Sequence, residues 1–149
     1  MTSEFCRAKS INESKFLLDN GANANDKSEY GHTALMTSTS VAHTKFLIEA
    51  GVDVNAQTRG GATALMFSEI PEQTRLILEA GADVNARNLQ GNTALLGGAS
   101  LEKTKILIEY GADVNVRNNI GDHALDWADT DEMKKILIDA GAKKSRRSN

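Results

Sequence analysis

The sequence contains little cysteine, histidine or proline, and these shortages exclude several kinds of site. Cys6 is the one cysteine among 149 residues, so the chain cannot form an internal disulfide framework or a cysteine-based zinc site. The three histidines, His32, His43 and His123, are too far apart in sequence for a zinc-binding histidine pair. No run of roughly 18 apolar residues occurs, which argues against a membrane-spanning helix. We expect a soluble, cytoplasmic protein without bound metal or cofactor.

The charged residues are unevenly distributed along the chain. Residues 1–142 carry 13 basic and 20 acidic side chains, a net charge of −7, and the remaining basic residues lie in residues 143–149. A surface that follows a phosphate backbone needs clustered lysine and arginine, so we predict no nucleic-acid partner. The basic segment 143–149 is predicted to be a disordered tail and not a targeting signal.

A segment of thirty residues is repeated along the chain without gaps. Residues 81–110 read GADVNARNLQGNTALLGGASLEKTKILIEY, and residues 21–50, 51–80 and 111–140 align with them in register. A fixed period of this size is typical of arrays whose units bury their apolar faces by stacking on neighbours. We therefore predict one elongated array over residues 1–142.

Each unit is predicted to contain two helices and an extended loop. Thr93 is expected to cap a short helix over Ala94–Ala99, and Ser100 to cap a second helix that ends before Gly111. Gly97 and Gly98 each cost roughly 1 kcal/mol in a helix, so this short helix is expected to be the least stable. The helix pairs, of which the first and last are interpreted as caps, are predicted at about residues 1–20, 33–50, 63–80, 93–110 and 123–140.

Start signals vary between the predicted helices. Ser10 and Glu13 form a capping-box pattern in which the Glu13 carboxylate can accept from the Ser10 N–H. In the unit where Ile70 replaces the serine cap, Pro71 follows at the first helical position, where its missing N–H is not needed. The core is predicted to consist of two apolar rows, Leu35, Leu65, Leu95 and Leu125 together with Leu47, Ile77, Leu107 and Leu137.

The pattern G-x-T-A-L, followed by a helix pair and G-A-D-V-N-A, resembles the ankyrin repeat, whose usual unit has about 33 residues and opens with T-P-L-H. Thr-Ala-Leu replaces that opening at residues 33–35, 63–65 and 93–95, and three residues are missing between the helices. The resemblance implies an all-α solenoid of stacked helix-turn-helix layers with projecting hairpin loops. It also implies a protein-binding surface and no catalytic chemistry.

Catalytic and metal-binding interpretations find little support in the repeated positions. The histidines fall on three different rows of the repeat, and the glycines follow helix ends instead of forming a phosphate-binding loop. Asp53, Asp83 and Asp113 are interpreted as hydrogen-bonding residues of the loop arms, with calcium binding as the alternative. The row Asn25, Asn55, Asn85 and Asn115 is interpreted as bridging neighbouring hairpins, with side-chain modification as the alternative.

Positions that vary between units are available for partner contacts. Tyr30, Leu89 and Ile120 are apolar residues at predicted hairpin tips. A row containing Thr37, Phe67, Gly97 and Trp127 is predicted to face outwards, although Trp127 could instead fold over the end of the core and Phe67 could face it. Three arginines, Arg59, Arg87 and Arg117, are predicted to steer an acidic partner.

These observations predict a monomeric, non-enzymatic module that binds another protein as an inhibitor, adaptor or immunity-type protein. The predicted contact residues are Tyr30, Arg59, Phe67, Arg87, Leu89, Arg117, Ile120 and Trp127. Two alternatives stay open at this point: a small-molecule binder or enzyme that uses the concave groove, and a scaffold without a partner.

Overall fold

The computed structural model describes residues 4–143, which contain seven α-helices, two 3₁₀ helices and no strand. The chain divides into two compact units, Met1–Asp83 and Val84–Asn149, and each unit is described by itself. The single array over residues 1–142 stays a prediction. Residues 144–149, most of the predicted tail, lie outside the described residues, as do residues 1–3 of the first predicted helix pair.

The first unit contains three helix pairs. A 3₁₀ helix at Phe5–Arg7 precedes α1, and the two following pairs are α2 with α3 and α4 with α5. Helix α2 packs against the 3₁₀ helix and α4, and α3 packs against α1 and α5. The bounds are α1 Ile11–Asp19, α2 Ala34–Thr37, α3 Val41–Glu49, α4 Ala64–Phe67 and α5 Pro71–Glu79.

The second unit departs from the predicted pattern of helix pairs. Its α-helices are α6, Leu101–Glu109, and α7, Asp131–Asp139, and a 3₁₀ helix at Ala124–Asp126 packs against α7. The prediction of a helix over Ala94–Ala99 is wrong, because residues 94–98 form turns. Gly98 has φ +83°, a left-handed conformation that ends helical geometry there. The glycine pair thus replaces the short helix instead of only weakening it.

The predicted caps of the longer helices are confirmed. The side-chain oxygens of Ser10, Ser40, Ser100 and Thr130 each accept a hydrogen bond from the backbone N–H three residues later, and Pro71 is the first residue of α5. These bonds satisfy N–H groups that have no partner inside the helix.

Two predicted capping contacts differ in the structure. Glu13 Oε2 accepts from the N–H of Lys9 at 2.9 Å instead of from that of Ser10. The threonine cap predicted for the short helices fails at α4, where the buried Thr63 hydroxyl makes no hydrogen bond to a described residue. The Thr63 carbonyl instead accepts from the Met66 N–H at 3.0 Å, so the backbone closes this turn without the hydroxyl.

The predicted apolar rows form the core, with one exception. Leu35, Leu65, Leu95, Leu47, Ile77, Leu107 and Leu137 are buried, as is Phe5, which occupies the Leu35 position of the first helix pair. Leu125 is only half-buried. It lies in a 3₁₀ helix, whose three residues per turn rotate its side chain away from the direction that an α-helix would give.

A row of buried polar contacts joins the longer helices of the first unit. Ser14 Oγ of α1 lies 2.8 Å from His43 Nε2 of α3. Thirty residues later, Thr44 Oγ1 of α3 accepts from Gln73 Nε2 of α5, also at 2.8 Å. His43 Nδ1 is buried without a hydrogen-bond partner among the described residues. Burial lowers the pKa of His43, and the Glu13 carboxylate opposes this effect in part.

We predict that this histidine makes the fold sensitive to mild acid. Because its folded-state pKa lies below the ordinary value of about 6.5, the unfolded chain binds the proton more readily. The stability that neutral His43 contributes is therefore present above about pH 6.5 and is lost as the pH falls below that value. Gln73 makes the equivalent contact thirty residues later. In His43→Gln, the free energy of unfolding in urea should therefore fall less between pH 7.5 and pH 5 than it does in the unaltered protein. An equal fall in both proteins would contradict the prediction.

Candidate protein-binding surfaces

The loop between the helix pairs forms a tight hairpin at each position. In the first unit, the Ser28 N–H donates to the His32 carbonyl and the Gly31 N–H donates to the Ser28 carbonyl, both at 2.9 Å. The second unit repeats this arrangement at residues 88–92 and 118–122. Backbone bonds therefore fix the hairpin tips before any partner is bound.

The predicted asparagine bridges are confirmed. Each Oδ1 accepts from a backbone N–H of the next loop arm, and the Nδ2 groups of Asn55, Asn85 and Asn115 donate to glycine carbonyls. Asp53 and Asp113 each accept from the N–H two residues later, as expected for loop-arm residues. The Oδ1 contacts are Asn25 with Asp53 at 2.6 Å, Asn55 with Asp83 at 2.8 Å, Asn85 with Asp113 at 2.8 Å and Asn115 with Lys143 at 2.9 Å.

Lys143, the first residue of the predicted disordered tail, is anchored in the second unit. Its N–H donates to Asn115 Oδ1, and its carbonyl accepts from His123 Nε2 at 2.8 Å. His123 is itself buried and lies next to Asp126, with Nδ1 and Oδ2 2.9 Å apart. The disordered tail predicted over residues 143–149 stays a prediction, and its first residue is hydrogen-bonded to the second unit.

Neighbouring hairpins are also bonded directly at their tips. In the first unit, the Arg59 N–H donates to the Tyr30 carbonyl at 3.0 Å. In the second unit, the Asn119 N–H donates to the Gln90 carbonyl at 2.9 Å, and Asn119 Nδ2 donates to the Leu89 carbonyl at 2.8 Å. The tips are consequently held in register with one another within each unit.

The predicted tip residues are well exposed. Tyr30 in the first unit is 64% exposed, and Leu89 and Ile120 in the second unit are 68% and 65% exposed. Large apolar side chains on a fixed backbone are suited to contact another macromolecule, because little conformational freedom is lost when they are covered.

The three arginines are exposed but do not form one equivalent row. Arg87 and Arg117 occupy the same position of the repeat, whereas Arg59 occupies the position of Leu89. Arg87 Nη2 donates to the Arg117 carbonyl and Arg117 Nη1 donates to the Gly121 carbonyl, both at 2.6 Å. These two guanidinium groups bind backbone carbonyls, so part of their role is to brace the hairpins.

The outward orientation of the row with Phe67 and Trp127 is confirmed. Phe67 is 41% exposed, and its ring centroid lies 5.5 Å from that of His32 with the planes tilted by 56°. Trp127 is 54% exposed in the second unit. It borders a cavity of about 20 Å³ that Gly98 and Met133 also line. Thr37 and Gly97 of the same row are exposed as well.

Residues 5–88 match the family model of ankyrin repeats (3 copies). The chain belongs to the ankyrin-repeat family. No curated protein matches the chain. The family and the helical structure confirm the predicted all-α, ankyrin-type class. Ankyrin repeats are generally protein–protein interaction modules and are typically non-enzymatic.

Three features near these surfaces were not predicted from the sequence. The contact between His32 and Phe67 joins a hairpin to a short helix, and the bond from Lys27 Nζ to the Gln57 carbonyl, at 3.2 Å, parallels that of Arg87. Phe16 of α1 is 66% exposed beside a groove of about 360 Å³. The sequence offered a signal for these two bonds, because Lys27 and Arg87 are both cationic and each lies directly before a hairpin.

Two findings concern the described residues alone. No helix in residues 4–143 has the length and apolar character needed to cross a membrane. Among those same residues, no three histidine, cysteine, aspartate or glutamate side chains lie together in a way that could hold a metal ion.

Proposed function

We propose that this protein is a non-enzymatic interaction module that binds a protein partner through hairpin tips and exposed aromatic residues. The observation that carries the proposal is the exposure of Tyr30, Phe67, Leu89, Ile120 and Trp127 on backbone that hydrogen bonds hold in place. The residues proposed for each unit are Tyr30, Arg59 and Phe67 in the first, and Arg87, Leu89, Arg117, Ile120 and Trp127 in the second.

The physical case rests on the cost of ordering a binding surface. Each flexible side chain or loop that must be immobilised costs free energy on association. The hairpins of each unit are already fixed by backbone bonds and by asparagine bridges, so apolar burial at the tips is not offset by loop ordering. Aromatic side chains on such a surface commonly contribute most of the binding free energy.

The proposed role is to cover a surface of the partner, as an inhibitor, adaptor or immunity-type protein does. The arginines support binding of a partner with acidic groups, because charges at the edge of an interface act mainly on the association rate. Recovery of partners from native extract on the immobilised protein, with identification by mass spectrometry, tests the proposal. Addition of metal ions or metabolites should not displace the recovered partner from the immobilised protein. Recovery of small molecules alone would contradict the proposal.

We predict that Phe67→Ala and Trp127→Ala each weaken partner binding by about 2 kcal/mol or more, which is roughly thirty-fold in affinity. Both rings are exposed, so the free energy of unfolding should change by about 1 kcal/mol or less. Affinity is measured by calorimetry with the recovered partner, and stability by urea unfolding.

Phe16→Ala is the matched control for these substitutions. It removes an exposed aromatic ring from α1, away from the hairpins, and is expected to leave affinity unchanged. If Phe67→Ala and Trp127→Ala unfold the protein without a separable binding defect, the two rings stabilise the fold and do not form the binding surface.

A further inference from the structure

We propose that Trp127 and the neighbouring Asp129 bind a cationic side chain, arginine or lysine, of a basic segment in the partner. This inference rests on the proposed function and specifies the chemistry of one of its contacts. Trp127 is 54% exposed, and Asp129 is exposed two residues further along. A guanidinium or ammonium group is attracted both to the face of an indole ring and to a carboxylate beside it.

The charge of this segment favours a cation. Residues 122–132 contain five carboxylates and no lysine or arginine. Three exposed lysines on the adjacent helices lie close to other carboxylates, two of which belong to this segment. The distances are 2.9 Å from Lys105 to Glu102, 3.8 Å from Lys105 to Glu132, 3.7 Å from Lys134 to Asp131 and 2.5 Å from Lys135 to Asp139. Asp129 forms no ion pair with any of these three lysines, so they do not neutralise its negative charge.

The small size of the cavity beside Trp127 favours contact with the exposed part of the ring. The cavity beside Trp127 has a volume of about 20 Å³, enough for one water molecule and too small for an apolar side chain. A partner residue cannot enter it without separating Ala124, Met133 and Leu137, which line it. The exposed part of the ring thus offers more contact than the recess does.

The backbone around Trp127 is fixed. The Trp127 N–H donates to the Ala124 carbonyl at 3.2 Å, and Asp126 Oδ2 accepts from the His123 N–H at 2.9 Å. His123 in turn holds the Lys143 carbonyl. Asp126 is occupied in this way, which leaves Asp129 as the carboxylate proposed to contact the cation.

The chain supplies its own probe, because Trp127 is its one tryptophan. The test is to titrate the full chain with a capped hexapeptide of alternating glycine and arginine, and with the same peptide in which citrulline replaces arginine. Citrulline keeps the shape of the side chain and removes its charge. We expect the arginine peptide to change the tryptophan emission at concentrations at least ten-fold lower than the citrulline peptide. Equal responses to both peptides would overturn the proposal.

Variants locate the contact. Measured by anisotropy of a labelled arginine peptide, Trp127→Leu and Asp129→Asn should each weaken affinity at least about three-fold, within the range of cation–π and exposed ion-pair energies. Glu49→Gln removes one exposed carboxylate from the first unit and is the charge-matched control. If Glu49→Gln weakens binding as much as Asp129→Asn, the peptide follows net charge and the proposed contact is wrong. Asp129→Asn keeps the test valid if Trp127→Leu fails to fold.

A truncated variant tests whether the chain's own basic residues, instead of a partner, occupy the contact. Removal of residues 144–149 should leave the affinity for the arginine peptide unchanged. A tighter interaction after removal would show that this segment occupies the contact, and would overturn a partner as its occupant. Partner capture by the intact protein without any peptide binding would leave the proposed function standing and refute this inference alone.

Discussion

Leu107→Ala is expected to lower the free energy of unfolding by about 2–5 kcal/mol. Leu107 lies in α6 and is completely buried. Truncation removes its transfer free energy from the core and leaves a cavity that the surrounding helices fill only in part. Urea unfolding followed by circular dichroism measures the change, since the denaturant midpoint falls while its slope stays constant if only stability is altered.

Leu89→Ala in the same unit provides the matched control. It makes the same chemical change at a hairpin tip where the side chain is 68% exposed, and we expect a change of about 0.5 kcal/mol or less. A loss of less than about 1 kcal/mol for Leu107→Ala would show that the thirty-residue register places the wrong residues in the core.

The register of the core could be predicted because burial in a repeat is periodic. Leu35, Leu65 and Leu95 are separated by thirty residues and are all buried, and the same holds for the row that contains Leu107. The caps of the longer helices were predictable for a related reason. A serine or threonine at a helix start satisfies a local N–H, so this contact depends on four residues and not on the rest of the fold.

Contacts that depend on local backbone geometry were harder to predict. The Gly97-Gly98 pair was recognised as unfavourable for a helix, but its propensity cost does not reveal that Gly98 adopts φ +83° and ends the turn. The 3₁₀ geometry at Ala124–Asp126 likewise follows from the hydrogen bonds actually formed, and it moves Leu125 partly out of the core.

The buried polar row was missed because its members differ in type. Ser14 with His43 and Thr44 with Gln73 make equivalent contacts, yet glutamine is mostly exposed in proteins and histidine is only intermediate in burial. The arginines were likewise interpreted from their charge alone, and their contacts with the backbone were missed. The bond from Arg87 to the Arg117 carbonyl spans thirty residues and depends on the distance between two hairpins, which the sequence does not give.

The exposed residues of the candidate surface were predicted more fully than the hydrogen bonds that hold them in place. Exposure of Tyr30, Phe67, Leu89, Ile120 and Trp127 follows from their positions in the repeat. The bonds that hold the tips together, such as that between the Arg59 N–H and the Tyr30 carbonyl, join main-chain atoms and leave little trace in residue identity. Gly31, next to Tyr30, is an indirect sign in the sequence of this close contact between two backbones.

Gly31→Ala is expected to lower the free energy of unfolding by about 2–5 kcal/mol, the combined cost of a left-handed residue with a Cβ and of overpacking. Gly31 has φ +84°, and a Cβ built on it would lie 2.9 Å from the Arg59 nitrogen and 3.0 Å from the Thr58 Cα. Both of these atoms belong to the backbone of the next hairpin, so the two hairpins would have to separate. The Arg59 N–H bond to the Tyr30 carbonyl, 3.0 Å long, would then be strained or lost.

Gly21→Ala separates the two contributions. Gly21 has the same φ of +84°, but no atom lies within 4 Å of its hypothetical Cβ. This substitution should cost only the conformational part, about 1–2 kcal/mol. Urea unfolding of the two variants should therefore differ by roughly 1–3 kcal/mol, the overpacking part. Equal losses would show that the hairpins separate without cost, and that the bonds between their tips do not fix the surface on which Tyr30 is presented.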